Sequence, residues 1–103
     1  MAVMMRFVQR FQADKRKEFM DLEKEFARLE REGVLTPGLR MAPIAAREPG
    51  NTLIWEAQFD DLASAERALK ALDASPGHQN LLAQQIPFFQ DAWVEFYEVL
   101  EFD

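Results

Sequence analysis

Two stretches with an apolar residue at every second position are each followed by a stripe of apolar residues at helical spacing. This repeated change of period constrains the fold more than any single residue does. From Ala2 to Gln12, Val3, Met5, Phe7, Gln9 and Phe11 alternate with Met4, Arg6, Val8 and Arg10, which predicts a strand. Asp14 then caps a predicted helix whose Phe19, Leu22, Phe26 and Leu29 fall on one stripe, and Gly33 ends it in a left-handed conformation. Lys15, Arg16 and Lys17 in its first turn oppose the helix dipole, a cost of ~0.3–1 kcal/mol each at most.

Thr36-Pro37-Gly38 interrupts the pattern. Leu39 to Ala46 predicts a weaker strand, and Pro43 within it lacks a ladder donor and so belongs at a sheet edge. Glu48-Pro49-Gly50-Asn51 places Pro and Gly at the two central positions of a type II turn, after which Thr52 to Phe59 resumes the alternation; strands two and three should form a hairpin. Asp60 or Asp61 caps a second helix carrying Leu62, Ala65, Leu69 and Leu72. Ser75-Pro76-Gly77 stops it, a short helix from His78 to Ile86 follows, Pro87 closes that helix, and Trp93 to Phe102 is the last strand.

The order β-α-β-β-α-β with right-handed crossovers defines a ferredoxin-like α+β sandwich: an antiparallel sheet in order 4-1-3-2 with both helices on one face. With 103 residues and 49% apolar side chains, one domain spanning 1–103 can bury about 65% of its unfolded surface and keep roughly 6,000 Å² exposed. A formal charge of -6 opposes nucleic-acid and anionic-membrane partners, whose binding needs clustered Lys and Arg. The absence of Cys excludes disulfides and thiolate chemistry, and one His leaves no metal-ligand spacing. No apolar run is long enough for a membrane span, and Arg6 breaks the apolar start, unlike a signal peptide; a cytoplasmic protein is expected.

The alternation assigns Val3, Met5, Phe7, Phe11, Leu53, Trp55, Phe59, Val94, Phe96 and Leu100 to the helix-covered face. The open face receives Met4, Val8, Ile44, Ile54, Trp93, Tyr97 and Val99, with Arg6, Arg10, Arg40, Glu56, Gln58 and Glu95 among them. So much apolar surface predicts a homodimer with sheets face to face, burying ~600–900 Å² per chain.

Arg6-Phe7-Val8, Gly38-Leu39-Arg40, the segment from Asn51 to Ala65 (NTLIWEAQFDDLASA) and Glu95-Phe96-Tyr97-Glu98-Val99-Leu100 carry a resemblance to the dimeric α/β-barrel superfamily. That superfamily includes NIPSNAP-like proteins, antibiotic-biosynthesis monooxygenases and EthD-type proteins, and the strand-to-helix segment looks most like NIPSNAP-type members. The resemblance implies a dimeric barrel. It also implies either a cofactor-independent monooxygenase acting on an aromatic substrate or a binding domain of uncharacterised activity. Haem-degrading members place an Asn on the first strand, a Trp and a late His around the porphyrin, where this sequence offers Gln9, Trp55 and His78.

Among individual residues, Phe7, Gln9, Trp55 and Tyr97 are the ligand-binding candidates, for a modest apolar or aromatic molecule in a cleft between sheet and helices; the plainer reading of Phe7 and Trp55 is core. His78 and Glu56 are the catalytic candidates, His78 because it alone titrates between pH 5 and 8. The plainer readings are a solvated helix start for His78 and ion pairing of Glu56 and Glu95 with Arg6, Arg10 and Arg40, as an interface network or a site. A Ser-His-Asp arrangement would have to use Ser64 or Ser75, both poorly placed. No cofactor is expected. Asp91 to Asp103, with five carboxylates and no basic residue, reads as a solvated edge strand. A non-catalytic structural dimer is the remaining alternative.

Overall fold

A computed structural model of the chain describes residues 1–102. Strand β1 (Val3–Phe11) leads through a 3-10 turn (Ala13–Lys15) into helix α1 (Arg16–Arg31). Strands β2 (Leu39–Met41) and β3 (Thr52–Phe59) follow, then helices α2 (Leu62–Ala74) and α3 (Pro76–Gln85), a 3-10 turn (Ile86–Phe88) and strand β4 (Phe89–Glu98). The sheet has the order β2-β3-β1-β4 with antiparallel pairing throughout, the arrangement expected of the ferredoxin-like α+β sandwich.

Local chemistry accounts for the helix ends. Asp61 caps α2 by accepting from Ser64 N–H at 2.8 Å, and Ser75 caps α3 by accepting from His78 N–H at 3.3 Å, with Pro76 in the first helical turn. Gly33 has φ +78 beyond α1, the left-handed cap the sequence predicts. Asp14 does not cap α1: it lies in the 3-10 turn, and no side chain caps the helix start. The basic residues there find other partners. Arg16 donates to Gly50 O at 3.3 Å and stacks over Phe11, and Lys17 pairs with Asp21 at 2.7 Å.

Several boundaries differ from the sequence expectation. Strand β2 stops at Met41, opposite Ile54, so Pro43 lies just outside the edge strand rather than in it. The predicted type II turn at Glu48–Asn51 does not form, since Gly50 lacks the positive φ that turn requires; a longer loop joins the hairpin. The last strand begins at Phe89 and ends at Glu98, four residues earlier than expected at both ends. It pairs with β1, and beyond the bond from Val99 N–H to Ala2 O no strand remains to continue the ladder. Leu100 therefore leaves the covered face, and Asp103 lies outside the described residues. Strand β4 is a sheet edge, as expected of the acidic tail.

The core is a layer between sheet and helices in two clusters: Val3, Met5, Trp55 and Ala65, and Phe11, Phe19 and Leu53. At the bulge beside Phe11 the pairing steps from Arg10–Asp91 to Phe11–Phe89, which brings Phe89 to the helix side, edge-on to Phe19 at 5.5 Å. The helices cover β1 and β3 better than β4, leaving Val94 and Phe96 41% exposed although they stand opposite buried-face residues. The solvent-accessible surface is 6638 Å².

The opposite face is less open than the alternation implies. The loop from 42 to 51 is held toward it by the Arg10–Glu48 ion pair at 2.7 Å, and Val8 there is only 3% exposed. Ile44, assigned to that face, lies in the loop and is fully exposed. Arg40 is the clearest reversal. It stands opposite Trp55 in the β2–β3 ladder, and therefore on the helix side, where it pairs with two carboxylates of α1.

Candidate functional site

Between the covered face of the sheet and the three helices lies a cavity of about 260 Å³. The sheet contributes Phe7 and Gln9 from β1, Trp55 from β3, and Ala92 and Val94 from β4; the register places Phe7, Trp55 and Val94 in one row and Gln9 and Ala92 in the next. Phe7 and Trp55 stack with ring centroids 4.9 Å apart, forming a flat aromatic floor. Trp55 keeps this position because the indole packs on Gly38, where a Cβ would stand 2.0 Å from the indole Nε1 and Cε2. Helix α1 supplies Phe26, and α3 supplies His78 and Gln85, spaced seven residues apart and hence on one helix face.

The polar end of the cavity is a chain of buried groups. Arg40 Nε donates to Glu23 Oε2 at 2.8 Å, while its two terminal nitrogens donate to the Glu30 carboxylate at 3.1 and 2.6 Å. Glu30 also accepts from Gly38 N–H at 3.0 Å, and Gln85 Nε2 donates to Glu23 Oε1 at 2.8 Å. The side chains of Glu23 and Glu30 are 7% and 8% exposed. Burial works against the Arg40 charge, but its bonds and attraction to Glu30 and Glu23 outweigh it and raise the pKa above the usual arginine value. Two acids around one base leave this cluster with a net negative charge.

Three polar atoms of the lining, Gln9 Oε1, His78 Nδ1 and Gln85 Oε1, are buried without a hydrogen-bond partner. Such groups are uncommon in folded proteins, each costing ~1–3 kcal/mol, and concentrate where a ligand or water completes them. The His78 ring packs against Phe26 at 5.2 Å between centroids; its burial lowers the pKa, only partly countered by the charge of Asp73, so the imidazole is held neutral.

The structure thus brings together three of the four sequence-predicted ligand residues, Phe7, Gln9 and Trp55, with the catalytic candidate His78. His78 is half-buried in the cavity wall instead of being a solvated helix start. Tyr97 is not in this cleft: it pairs with Met4 on the other face, where its hydroxyl donates to Glu95 at 2.7 Å and the Arg6 guanidinium stacks over its ring. Trp93 Nε1 also donates to Glu95, at 2.8 Å, and these two donors hold the Glu95 carboxyl below its ordinary pKa. Glu56 lies on that face too, accepting from Arg6 at 2.7 Å, which matches the ion-pair reading. Glu23, Glu30 and Gln85 were missed by the sequence reading. Glu23 falls three residues before Phe26, on the apolar stripe of α1, and that position was the available signal.

Among the described residues there is no group of three or more side chains suited to hold a metal ion, and no helix is long and apolar enough to cross a membrane. The elements and their order define a ferredoxin-like α+β domain with a cleft between sheet and helices. No protein-family model matches the sequence, and no curated protein matches it.

Solved structures do share the fold, which is NIPSNAP-like. A NIPSNAP family protein from Agrobacterium tumefaciens superposes with a TM-score of 0.81 at 12% identity, covering 99% of this chain and 96% of that one. An uncharacterized NIPSNAP domain protein from Burkholderia xenovorans gives 0.76 at 19% identity, covering 100% and 98%. A second NIPSNAP family protein of unknown function from A. tumefaciens gives 0.78 at 13% identity, covering 99% and 91%.

Proposed function

We propose that this chain is a small-molecule-binding domain whose site is the sheet–helix cavity. The observation that carries the reading is the coincidence of an aromatic floor, Phe7 on Trp55, with unpartnered buried polar atoms on Gln9, His78 and Gln85 around one half-open cleft. At about 260 Å³ the cavity suits a compact apolar or aromatic molecule of one or two rings. Native mass spectrometry of protein purified from cells, with thermal unfolding against a panel of small aromatics, tests it. A retained molecule, or stabilisation lost in Trp55→Ala, is expected; no stabilisation by any member of the panel would favour a non-catalytic structural role.

A second reading is favoured by the neutral, half-buried His78. Its imidazole can accept a proton from a bound phenolic substrate, the first step of a cofactor-independent oxygenation. Oxygen uptake with electron-rich aromatics should then fall sharply in His78→Ala, and unchanged uptake removes this residue from any such mechanism. Glu56, on the opposite face, has no part in it.

The other sheet face supports a homodimer as the assembly. Leu39, Met41 and Tyr97 remain exposed there beside the Arg6–Glu56 and Arg10–Glu48 pairs, and a second copy would cover them. Sedimentation at micromolar concentration should give a particle of twice 11.9 kDa. A persistent monomer would rule the pairing out.

A further inference from the structure

We infer that the cavity selects a ligand bearing a hydrogen-bond donor of positive charge, an arylalkylamine in its ammonium form, and rejects arylalkyl carboxylates of the same size. This inference rests on the cavity being a binding site and concerns what its polar end recognises.

The orientation of the Gln85 amide is the key. Gln85 is fully buried, and its Nε2 donates to Glu23 Oε1 at 2.8 Å and to Phe19 O at 3.4 Å. A carboxylate in this ion pair and a main-chain carbonyl can only accept, so the amide cannot turn over, and Oε1 is fixed as the atom without a partner. Gln85 borders the cavity, so an occupant that reaches this amide meets an acceptor.

The surrounding charges act in the same sense. Glu23, Arg40 and Glu30 carry two negative charges against one positive, and the three Arg40 nitrogens named above are each directed at a carboxylate. Among the described residues no lysine and no arginine other than Arg40 lines the cavity, the His78 imidazole there is held neutral, and Asp73 adds a further carboxylate. An ammonium group gains from both the acceptor and the charge, whereas a carboxylate finds neither a free donor at Gln85 nor a compensating cation. The stacked Phe7 and Trp55 rings suit an aromatic body and add a cation–π contribution for a positively charged head.

The test compares three probes of one shape, 2-phenylethylamine, phenylacetate and ethylbenzene, on the full chain at pH 7. Binding is read from the Trp55 indole and the Gln9 and Gln85 side-chain amide resonances in nitrogen-15 correlation spectra. The amine is expected to bind at least tenfold more tightly than phenylacetate. In Glu23→Gln the cluster loses its net negative charge, and the Gln85 amide loses the carboxylate that accepts its shorter bond. The amine-to-carboxylate preference should fall at least tenfold in that variant.

Should Glu23→Gln fail to fold, Gln85→Leu removes the acceptor alone and should reduce the preference at least threefold. A wild-type preference below tenfold, or one unchanged in the folded variant, overturns the inference while leaving a cavity that binds aromatics. If none of the three probes moves those resonances, the cavity holds only water and the binding reading falls with the inference.

Discussion

Gly38→Ala tests whether the Trp55 floor is held in place by backbone contact. Gly38 does not adopt a positive φ, so an alanine suits the backbone there, and the substitution should even stabilise by ~0.4–1 kcal/mol through the unfolded chain. Against that, the added Cβ would lie 2.0 Å from two indole atoms and 2.5 Å from a third, and a fused ring cannot bend away from it. The indole must slide as a whole. Overpacking of this kind costs ~1–3 kcal/mol, and loss of the Phe7 stacking adds ~0.5–1.5 kcal/mol. The net destabilisation is therefore about 2 kcal/mol, a fall in Tm on the order of 10 °C for a chain of this length. Urea unfolding followed by fluorescence in a Trp93→Phe background, where Trp55 is the sole reporter, measures it together with a changed native emission. In a Trp55→Leu background the same substitution has room and should cost under ~0.5 kcal/mol. Equal costs in the two backgrounds would refute the contact argument.

Three further outcomes follow from the same geometry. Arg40→Ala leaves two buried carboxylates unpaired and should lower the unfolding free energy by about 3 kcal/mol, whereas replacing Glu23, Arg40 and Glu30 together by Leu, Met and Leu should restore or exceed wild-type stability in urea unfolding. Because the folded pKa of His78 is depressed, its contribution is present above the unfolded value near 6.5 and is lost as pH falls through the folded value. The unfolding free energy from urea titration should thus drop between pH 7 and 5 more in wild type than in His78→Gln, by at most about 1.4 kcal/mol per pH unit. Glu48→Ala releases the loop over Val8, so amide exchange and proteolysis within residues 42–51 should accelerate while global stability changes by less than ~1 kcal/mol.

The sheet and its helices were legible because each element carries its own period. The alternation through β1 and β3, the Phe19–Leu29 stripe and the Asp61 and Ser75 caps are local signals that the packing confirms. What failed depended on a distant partner. The end of β4 is set by where β1 begins, and the bulge that turns Phe89 inward is a property of two strands together. Arg40 was assigned to the open face because a strand of unknown register can be phased either way, and only its pairing with Trp55 decides. For the site, Phe7, Gln9 and Trp55 share a face by alternation alone. Glu23 and Gln85 carry no signal in a hydrophobic pattern except that each is polar where an apolar residue would pack better.

That misfit is informative. A layer between sheet and helices is most stable when filled with apolar side chains, and a buried ion pair is often no better than a hydrophobic replacement of similar volume. This layer nevertheless holds a charged cluster of Glu23, Arg40 and Glu30, a buried Gln85 that can satisfy only half of its amide, and an imidazole with an unpartnered nitrogen. All of them border the same cavity, whose floor residue Trp55 also belongs to the core cluster of Val3, Met5 and Ala65. Among the described residues two other buried polar atoms without a partner, Arg10 Nε and Thr52 Oγ1, lie outside the cavity lining, so the cavity holds three of the five and the whole charged cluster. Their concentration around one half-open cleft is what a binding site would require, because its groups must stay unsatisfied until an occupant arrives. The all-apolar replacement of the charged cluster separates the two demands: stability that holds or rises while amine binding disappears would show that these residues serve recognition at the expense of folding.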